Sequence, residues 1–574
     1  MNITMGVWTY LGNILSAFSK KPKKYVYGAK KNTLRRGVRR VRDASAYAFD
    51  YSISMKCARA LRERFSNIRL RCIGVFMLTF GVYGLAAALL KMFFGSGDSG
   101  LDIVASSVAA LLSLPLMASS LTLRESLLSS AFGQTLLSYF GVRADSYKER
   151  APFGRLNAAF ILGVLFGTMT VAVSVTAVVK CTVMILALVL ILSYPETSVI
   201  IAAAIAPFAE GALLFWLSVF GVVAFAVKLV RGKRRLRLAY YDKTVLVMIV
   251  CLTLGAVFAF GGVGSAVYIP MAMMYFVVSN SLGGADYSSR VLSALVASVG
   301  IASAVFSILV LAAAHSYDVS FAEAAHLVDI FDENVLACFA VALIPTGVSL
   351  LLSGMGLSRR TAFLAVVSMA GYLSVCGMYY CIAAALVGTV AAIMFYNRRA
   401  AYTLFALGAL AFVLWMWLGG TRARMMSFAL SIYGKPDGEA LASEYFLFGE
   451  GLVEGFGHGG SFYMALLSRL GVIGLILIMA IVVLLAVAIA TLGKRCKIAG
   501  RTEYKKACVP MCAIIALALL ALRMNLWESY GAYLAFWIFT GAASAYISDG
   551  EDKVQRAIGV QRDMKGKNGA SITI

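Results

Sequence analysis

Apolar stretches close to twenty residues long, separated by short polar loops, recur along most of this 574-residue chain. They fall at 72–94, 101–121, 156–177, 180–193, 196–208, 209–230, 243–261, 265–282, 290–313, 334–354, 361–377, 379–396, 400–418, 465–492, 507–524 and 530–547. A helix needs about 20 apolar residues to cross a ~30 Å hydrocarbon core. The runs are too long for the strands of a transmembrane barrel and lack their alternating pattern. The pattern therefore predicts an all-α fold, a polytopic membrane helical bundle of about 14–16 transmembrane segments. The segments at 180–193 and 196–208 are short and split by Pro195, so they read either as two tilted spans or as one broken, re-entrant element.

The polar loops then give a direction. Starting inside, alternate loops carry Arg231, Lys233, Arg234, Arg235 and Arg237; Arg359 and Arg360; Arg398 and Arg399; and Lys494, Arg495, Lys497, Lys505 and Lys506. The opposite loops are poor in cations: 315–333 holds no Lys or Arg but has Asp318, Glu323, Asp329, Asp332 and Glu333. An excess of Lys and Arg marks cytoplasmic loops, so both termini are expected in the cytoplasm and 419–464 becomes a large exocytoplasmic loop. The expected organisation is a basic cytoplasmic region at 1–71, a two-helix membrane module with a cytoplasmic linker at 72–155, a main membrane domain at 156–547, and a cytoplasmic tail at 548–574.

Composition agrees: 61% of residues are hydrophobic and 14% charged, against about 25% charged in soluble domains. The net charge of +24 suggests nucleic acid, but its distribution points elsewhere. Seventeen Lys and Arg between Lys20 and Arg71 face only Asp43, Asp50 and Glu63, and no recognition motif accompanies them. The expected partner of this region is anionic membrane lipid. The ten cysteines lie mostly in apolar runs without a C-x-x-C, as small packing residues do. The weak apolar stretch at 7–18 precedes its basic cluster, unlike a cleavable signal peptide.

The chemistry-bearing stretch is FLFGEGLVEGFGHGGSFYMALLSRLGVIGL, Phe446 to Leu475, with six glycines between Gly449 and Gly460 and one histidine, His458. Glu450, Glu454 and His458 have i, i+4, i+8 spacing, but the intervening glycines disfavour the helix a metal site there would need, so no metal is expected. The run also lacks the G-K-S/T ending of a phosphate-binding loop. Before it lies GGTRARMMSFALSIYG, Gly419 to Gly434. In order and spacing these pieces resemble the O-antigen ligase/polymerase superfamily: Arg424 with Phe428, Gly449-Glu-Gly451, His458, and Gly471-Val-Ile-Gly-Leu475. Upstream, Asn334 and Ala337 match part of that family's N-P-N-x-x-A segment, and Tyr194-Pro-Glu196 and Tyr241-Asp242 sit where it has similar residues. The resemblance covers 156–547. Two features depart from it. CGMYYC, Cys376 to Cys381, stands where the family has Ser-Arg. His458-Gly-Gly-Ser461 stands where it has His-Asn or His-x-His-Asn, with Gly460 in place of the second histidine.

The resemblance implies a metal-independent glycosyltransferase or ligase of a bacterial cytoplasmic membrane, needing no cofactor. It would transfer glycan from a polyprenyl-diphosphate-linked oligosaccharide to an acceptor glycan or glycolipid on the outer face. A sugar hydroxyl is a poor nucleophile at neutral pH, and His458 would be its general base. Arg424, Arg422 and Arg523 would bind the diphosphate through planar, paired hydrogen bonds. Gly457, Gly459 and Gly460 would let backbone amides approach it. Bland roles stand beside these: a solvated loop histidine, interfacial anchor arginines, and solvated His315 and His326 in the acidic loop. A transporter or flippase of a lipid-linked or amphiphilic substrate is the alternative, as is a catalytically lost scaffold of polysaccharide export.

Overall fold

A computed structural model describes residues 67–94, 100–130, 154–175, 196–209, 211–230, 236–258, 266–281, 284–328, 333–354, 356–403, 461–526 and 529–569, with a few isolated positions beside them. Among the described residues the structure is helical, with no strand and one isolated antiparallel bridge, Arg69 to Thr122. Helices occupy, wholly or in part, each predicted apolar segment except 180–193 and 400–418, which lie largely outside the described residues. Among the described residues six helices are long and apolar enough to cross a membrane: Leu70–Phe93, Gly211–Val230, Ala285–Tyr317, Glu333–Ser353, Tyr379–Tyr396 and Phe462–Ile498. Internal contacts divide the chain into two compact units, 1–197 with 226–234, and 198–225 with 235–574.

In the first unit α1 (Leu70–Phe93) packs against α2 (Gly100–Ala118), and α4 (Leu156–Met169) lies along α1. The closeness depends on missing side chains: a Cβ on Gly81 would lie 2.9 Å from backbone atoms of α2, and one on Gly163 would lie 1.7 Å from the Thr79 hydroxyl. Small residues permit such approach where lipid supplies no hydrophobic drive between helices. The short α3 (Leu123–Ser129) starts at a capping box in which Thr122 and Glu125 satisfy each other's backbone N–H groups.

The second unit carries α5 (Glu196–Ile205) from Ser198 on, most of α6 (Gly211–Val230), α7 (Tyr240–Phe258), α8 (Tyr268–Ser279), α9 (Gly284–Tyr317), α10 (Phe321–Leu327), α11 (Glu333–Ser353), α12 (Arg359–Val375), α13 (Tyr379–Tyr396), α14 (Phe462–Ile498), α15 (Tyr504–Leu520) and α16 (Tyr530–Gly569). Helix α11 is the centre: 78% of its most apolar window is buried, against 33–50% in the other five long helices. It touches α9, α12, α13 and α15. Pro345 sits inside it, and hydroxyls fold back onto nearby carbonyls, Thr346 onto Ala342 at 3.0 Å and Ser349 onto Pro345 at 2.8 Å.

Contacts sort the helix ends of this unit into two sets. One is the basic end, where Arg237 meets Asp552 at 2.7 Å and Arg495 meets Glu551 at 3.3 Å. Those pairs dock an acidic turn of α16 on Arg237 and on the last turns of α14, and α16 runs as helix through the predicted tail as far as Gly569. At the far end, Tyr372 donates to the Glu333 carbonyl at 2.6 Å, Tyr533 to the Tyr268 carbonyl at 3.0 Å, and Tyr463 to the Ala518 carbonyl at 2.9 Å.

Helix α14 is broken. Gly471 has φ 64° and ψ −170° within an otherwise helical run, a conformation open essentially to glycine alone. A Cβ on Gly474 would sit 2.3 Å from that of Leu470. The Gly471-Val-Ile-Gly474 signature thus has one structural job: it turns the nine-residue half-helix 462–470 away from the long half.

Candidate functional site at the far end

Arg422, Arg424, Gly457, His458, Gly459 and Gly460 lie outside the described residues. Arg523 is described, and its surroundings can be built from the chain upward. Helix α12 stops at Cys376 because Gly377 takes φ 66°. The Gly377 N–H then bonds the Ser374 carbonyl at 3.2 Å, and that of Met378 bonds Leu373 at 3.1 Å. This is the paired closure that ends a helix on a left-handed glycine. The turn is short, so α13 starts at once with Tyr379 and Tyr380.

Tyr380 is half-buried and donates its hydroxyl to the Leu519 carbonyl in the last turn of α15. Its ring lies under the exposed Arg523 guanidinium, 5.8 Å from the ring centroid. Arg523 therefore sits just past a helix C-terminus, where carbonyl dipoles favour a cation, and over an aromatic face, which favours it again. Cys381, 4% exposed, follows Tyr380 in the first turn of α13.

The start of α14 is stitched to that helix end. The Ser461 hydroxyl donates to the Ala521 carbonyl at 3.1 Å, and the Phe462 N–H bonds Ala521 and Met524 at 3.1 and 3.2 Å. With Tyr463 on Ala518, these bonds satisfy carbonyls at and just past the end of α15 that a helix end leaves open. Half-buried Arg469 lies on the same half-helix, two residues before the break.

The remaining residues quoted from the sequence do not gather at this end. Ala337 is buried in the α11 core, while Asn334 is exposed on its first turn. Asp242 lies near the basic end, 2% exposed, between α7, α8 and α16. Its carboxylate accepts the Ala239 N–H at 2.6 Å, the Ser544 hydroxyl at 3.4 Å and the Tyr275 hydroxyl. Tyr194 and Glu196 belong to the other unit.

The sequence reading passed over Tyr380, Tyr463 and Arg469. CGMYYC was read for the arginine it lacks, not for the tyrosine that holds one from another helix. Arg469 carried a usable signal, since an arginine seven positions into a helix bound for lipid is costly.

No protein-family model matches the chain, and no curated protein matches it at a significant level. Among the described residues no group of three or more His, Cys, Asp or Glu is placed to hold a metal ion. What the fold and site define is a class: an all-α protein with the make-up of a membrane protein, carrying a tyrosine-backed arginine at the cation-poor end of its larger unit.

Proposed function

We propose that the chain polymerises or ligates lipid-diphosphate-linked glycan at the outer face of a bacterial cytoplasmic membrane. One observation carries the reading. The start of α14, three residues after His458, is bonded to the helix end that bears Arg523. Three residues of chain reach at most about 11 Å, so the tether favours a shared base-and-cation site. The guanidinium absent from CGMYYC comes back in space, because Arg523 stacks on Tyr380 of that segment. Arg469 offers a second cation, which suits a diphosphate. The far end, with the acidic 315–333 loop and few cations, faces outward by the distribution of Lys and Arg.

The test replaces His458 by Gln, and Arg523 and Arg469 by Ala, in cells that depend on the protein for surface glycan. Shortened or unattached glycan, with lipid-linked donor accumulating in the outer leaflet and protein levels normal, is expected. Unchanged glycan in all three variants would overturn the transferase reading.

A second reading, transport of the lipid-linked substrate, is favoured by the buried Asp242 and the interrupted α14, both common where a carrier binds its cargo. It predicts the opposite leaflet: loss of a flippase strands the donor inside.

A further inference from the structure

Arg523 leaves its donors unused at a place where an arginine ordinarily spends them. Cations near a helix C-terminus commonly bond the last open carbonyls. At the end of α15 those carbonyls are already taken. That of Leu517 accepts the Ala521 N–H at 2.8 Å, and that of Leu520 accepts the N–H groups of Arg523 and Met524, each at 3.0 Å. Tyr463 covers Ala518, while Ser461 and Phe462 cover Ala521. The Leu519 carbonyl has a long bond from the Leu522 N–H, at 3.3 Å, and the Tyr380 hydroxyl fills its other lone pair. Among the described residues the exposed guanidinium has the Tyr380 ring beneath it and neither an acceptor nor an ion-pair partner.

One side chain thus does two things. A helix carbonyl points along the axis to the next turn, so Leu519 faces the turn that bears Arg523 and is a ready acceptor for the guanidinium. Tyr380 occupies that acceptor with its hydroxyl and offers its ring face instead. Attraction to a ring face consumes no N–H donor. We propose that Tyr380 is a positioning residue, which keeps the Arg523 guanidinium off the Leu519 carbonyl and turned to the phosphate oxygens of a lipid diphosphate; the identity of that ligand rests on the glycan-transfer reading. Removing the hydroxyl alone leaves the ring in place but opens the Leu519 lone pair. The guanidinium then turns inward onto the carbonyl, and the anion loses a donor.

The experiment uses the full chain in lipid nanodiscs. It measures binding of polyprenyl diphosphate without sugar, beside glycan transfer from polyprenyl-diphosphate-linked oligosaccharide. Tyr380→Phe should weaken diphosphate binding by about tenfold, the worth of one charge-assisted hydrogen bond, and raise KM for the donor with kcat unchanged. In an Arg523→Ala background the same change should alter binding by less than about twofold, because residues that act through one another do not add. Equal losses in both backgrounds would mark a structural role and overturn the proposal, as would wild-type binding by Y380F. A second measurement needs no variant. Phenylglyoxal should modify Arg523 in wild type, and polyprenyl diphosphate should protect it; an Arg523 inert to the reagent, or unprotected, overturns the proposal too. If binding behaves as expected but wild type transfers no glycan, the positioning role stands and the transferase reading falls. If wild type transfers glycan, R523A does not, and Y380F matches wild type in binding and KM, the positioning role falls and the transferase reading stands.

Discussion

Two glycines of α14 should respond to the same substitution with opposite sign. Gly471 has positive φ with ψ near −170°, and a non-glycine residue forced there costs about 1–3 kcal/mol. A Cβ at Gly493, in the regular half of the helix, meets only the Tyr504 ring, at 3.6 and 3.7 Å, an ordinary contact distance. Alanine in a helix interior gains up to about 1 kcal/mol over glycine. The two variants should therefore differ by about 1–4 kcal/mol, from the sum of those ranges. Unfolding of the purified full chain in mild detergent, followed by reaction of its buried cysteines with a thiol dye, gives the order directly. Gly493→Ala should unfold at or above wild type, and Gly471→Ala clearly below it.

The mechanism makes a further demand. Straightening α14 would swing the half-helix 462–470 away from the α15 carbonyls that Ser461, Phe462 and Tyr463 now satisfy. Gly474→Ala should destabilise too, because its Cβ would meet that of Leu470 at 2.3 Å. A Gly471→Ala protein as stable as wild type would refute the broken helix, whatever became of the function.

Three other outcomes follow from particular contacts. Asp242→Ala leaves the buried Tyr275 hydroxyl without its carboxylate and should cost about 1–3 kcal/mol; Asp242→Asn keeps an acceptor and should cost less in the same thermal assay. Asp552→Asn, which breaks a largely exposed pair with Arg237, should change stability by less than about 1 kcal/mol, an effect that vanishes in high salt. The Glu323 carboxyl is held below its ordinary value of 4.5, first by the Ser320 hydroxyl and then by the Ser320 N–H. A depressed acid stabilises the fold above its unfolded-state value and loses that contribution as pH falls through the folded one. Protection of the α10 amides, measured relative to intrinsic exchange at each pH, should therefore fall below pH 4.5 in wild type and be low already at neutral pH in Glu323→Ala.

The helices were readable because apolar length is a one-dimensional signal: each segment needs no knowledge of its neighbours to be recognised. Their ends were less so. The apolar run in α16 ends near Ile547, yet the helix continues past it, where Glu551 and Asp552 pair with Arg495 and Arg237, partners far away in the chain. Gly471 was visible as part of a motif, but a motif states residue type and not φ, so the break was invisible. Arg523 was legible as a charge near a span end. Its platform was not, because Tyr380 and Arg523 are distant in sequence and meet only when α13 packs on α15.

That platform raises a competing explanation of Arg523 which stability alone cannot dismiss. A helix C-terminus and an aromatic face both welcome a cation, so an anchor arginine would look the same. The two roles need different things of the side chain. An anchor needs a positive charge on a long stem, which lysine supplies; binding a diphosphate in its plane needs the guanidinium fork, which lysine lacks. Arg523→Lys should accordingly keep the unfolding free energy within about 0.5 kcal/mol of wild type, as surface changes usually do, while glycan transfer falls by about tenfold or more, the worth of one lost charge-assisted hydrogen bond. A lysine variant with full transfer would reduce Arg523 to an anchor, and the diphosphate would then have to be held by Arg469 or by the arginines of the 419–464 loop.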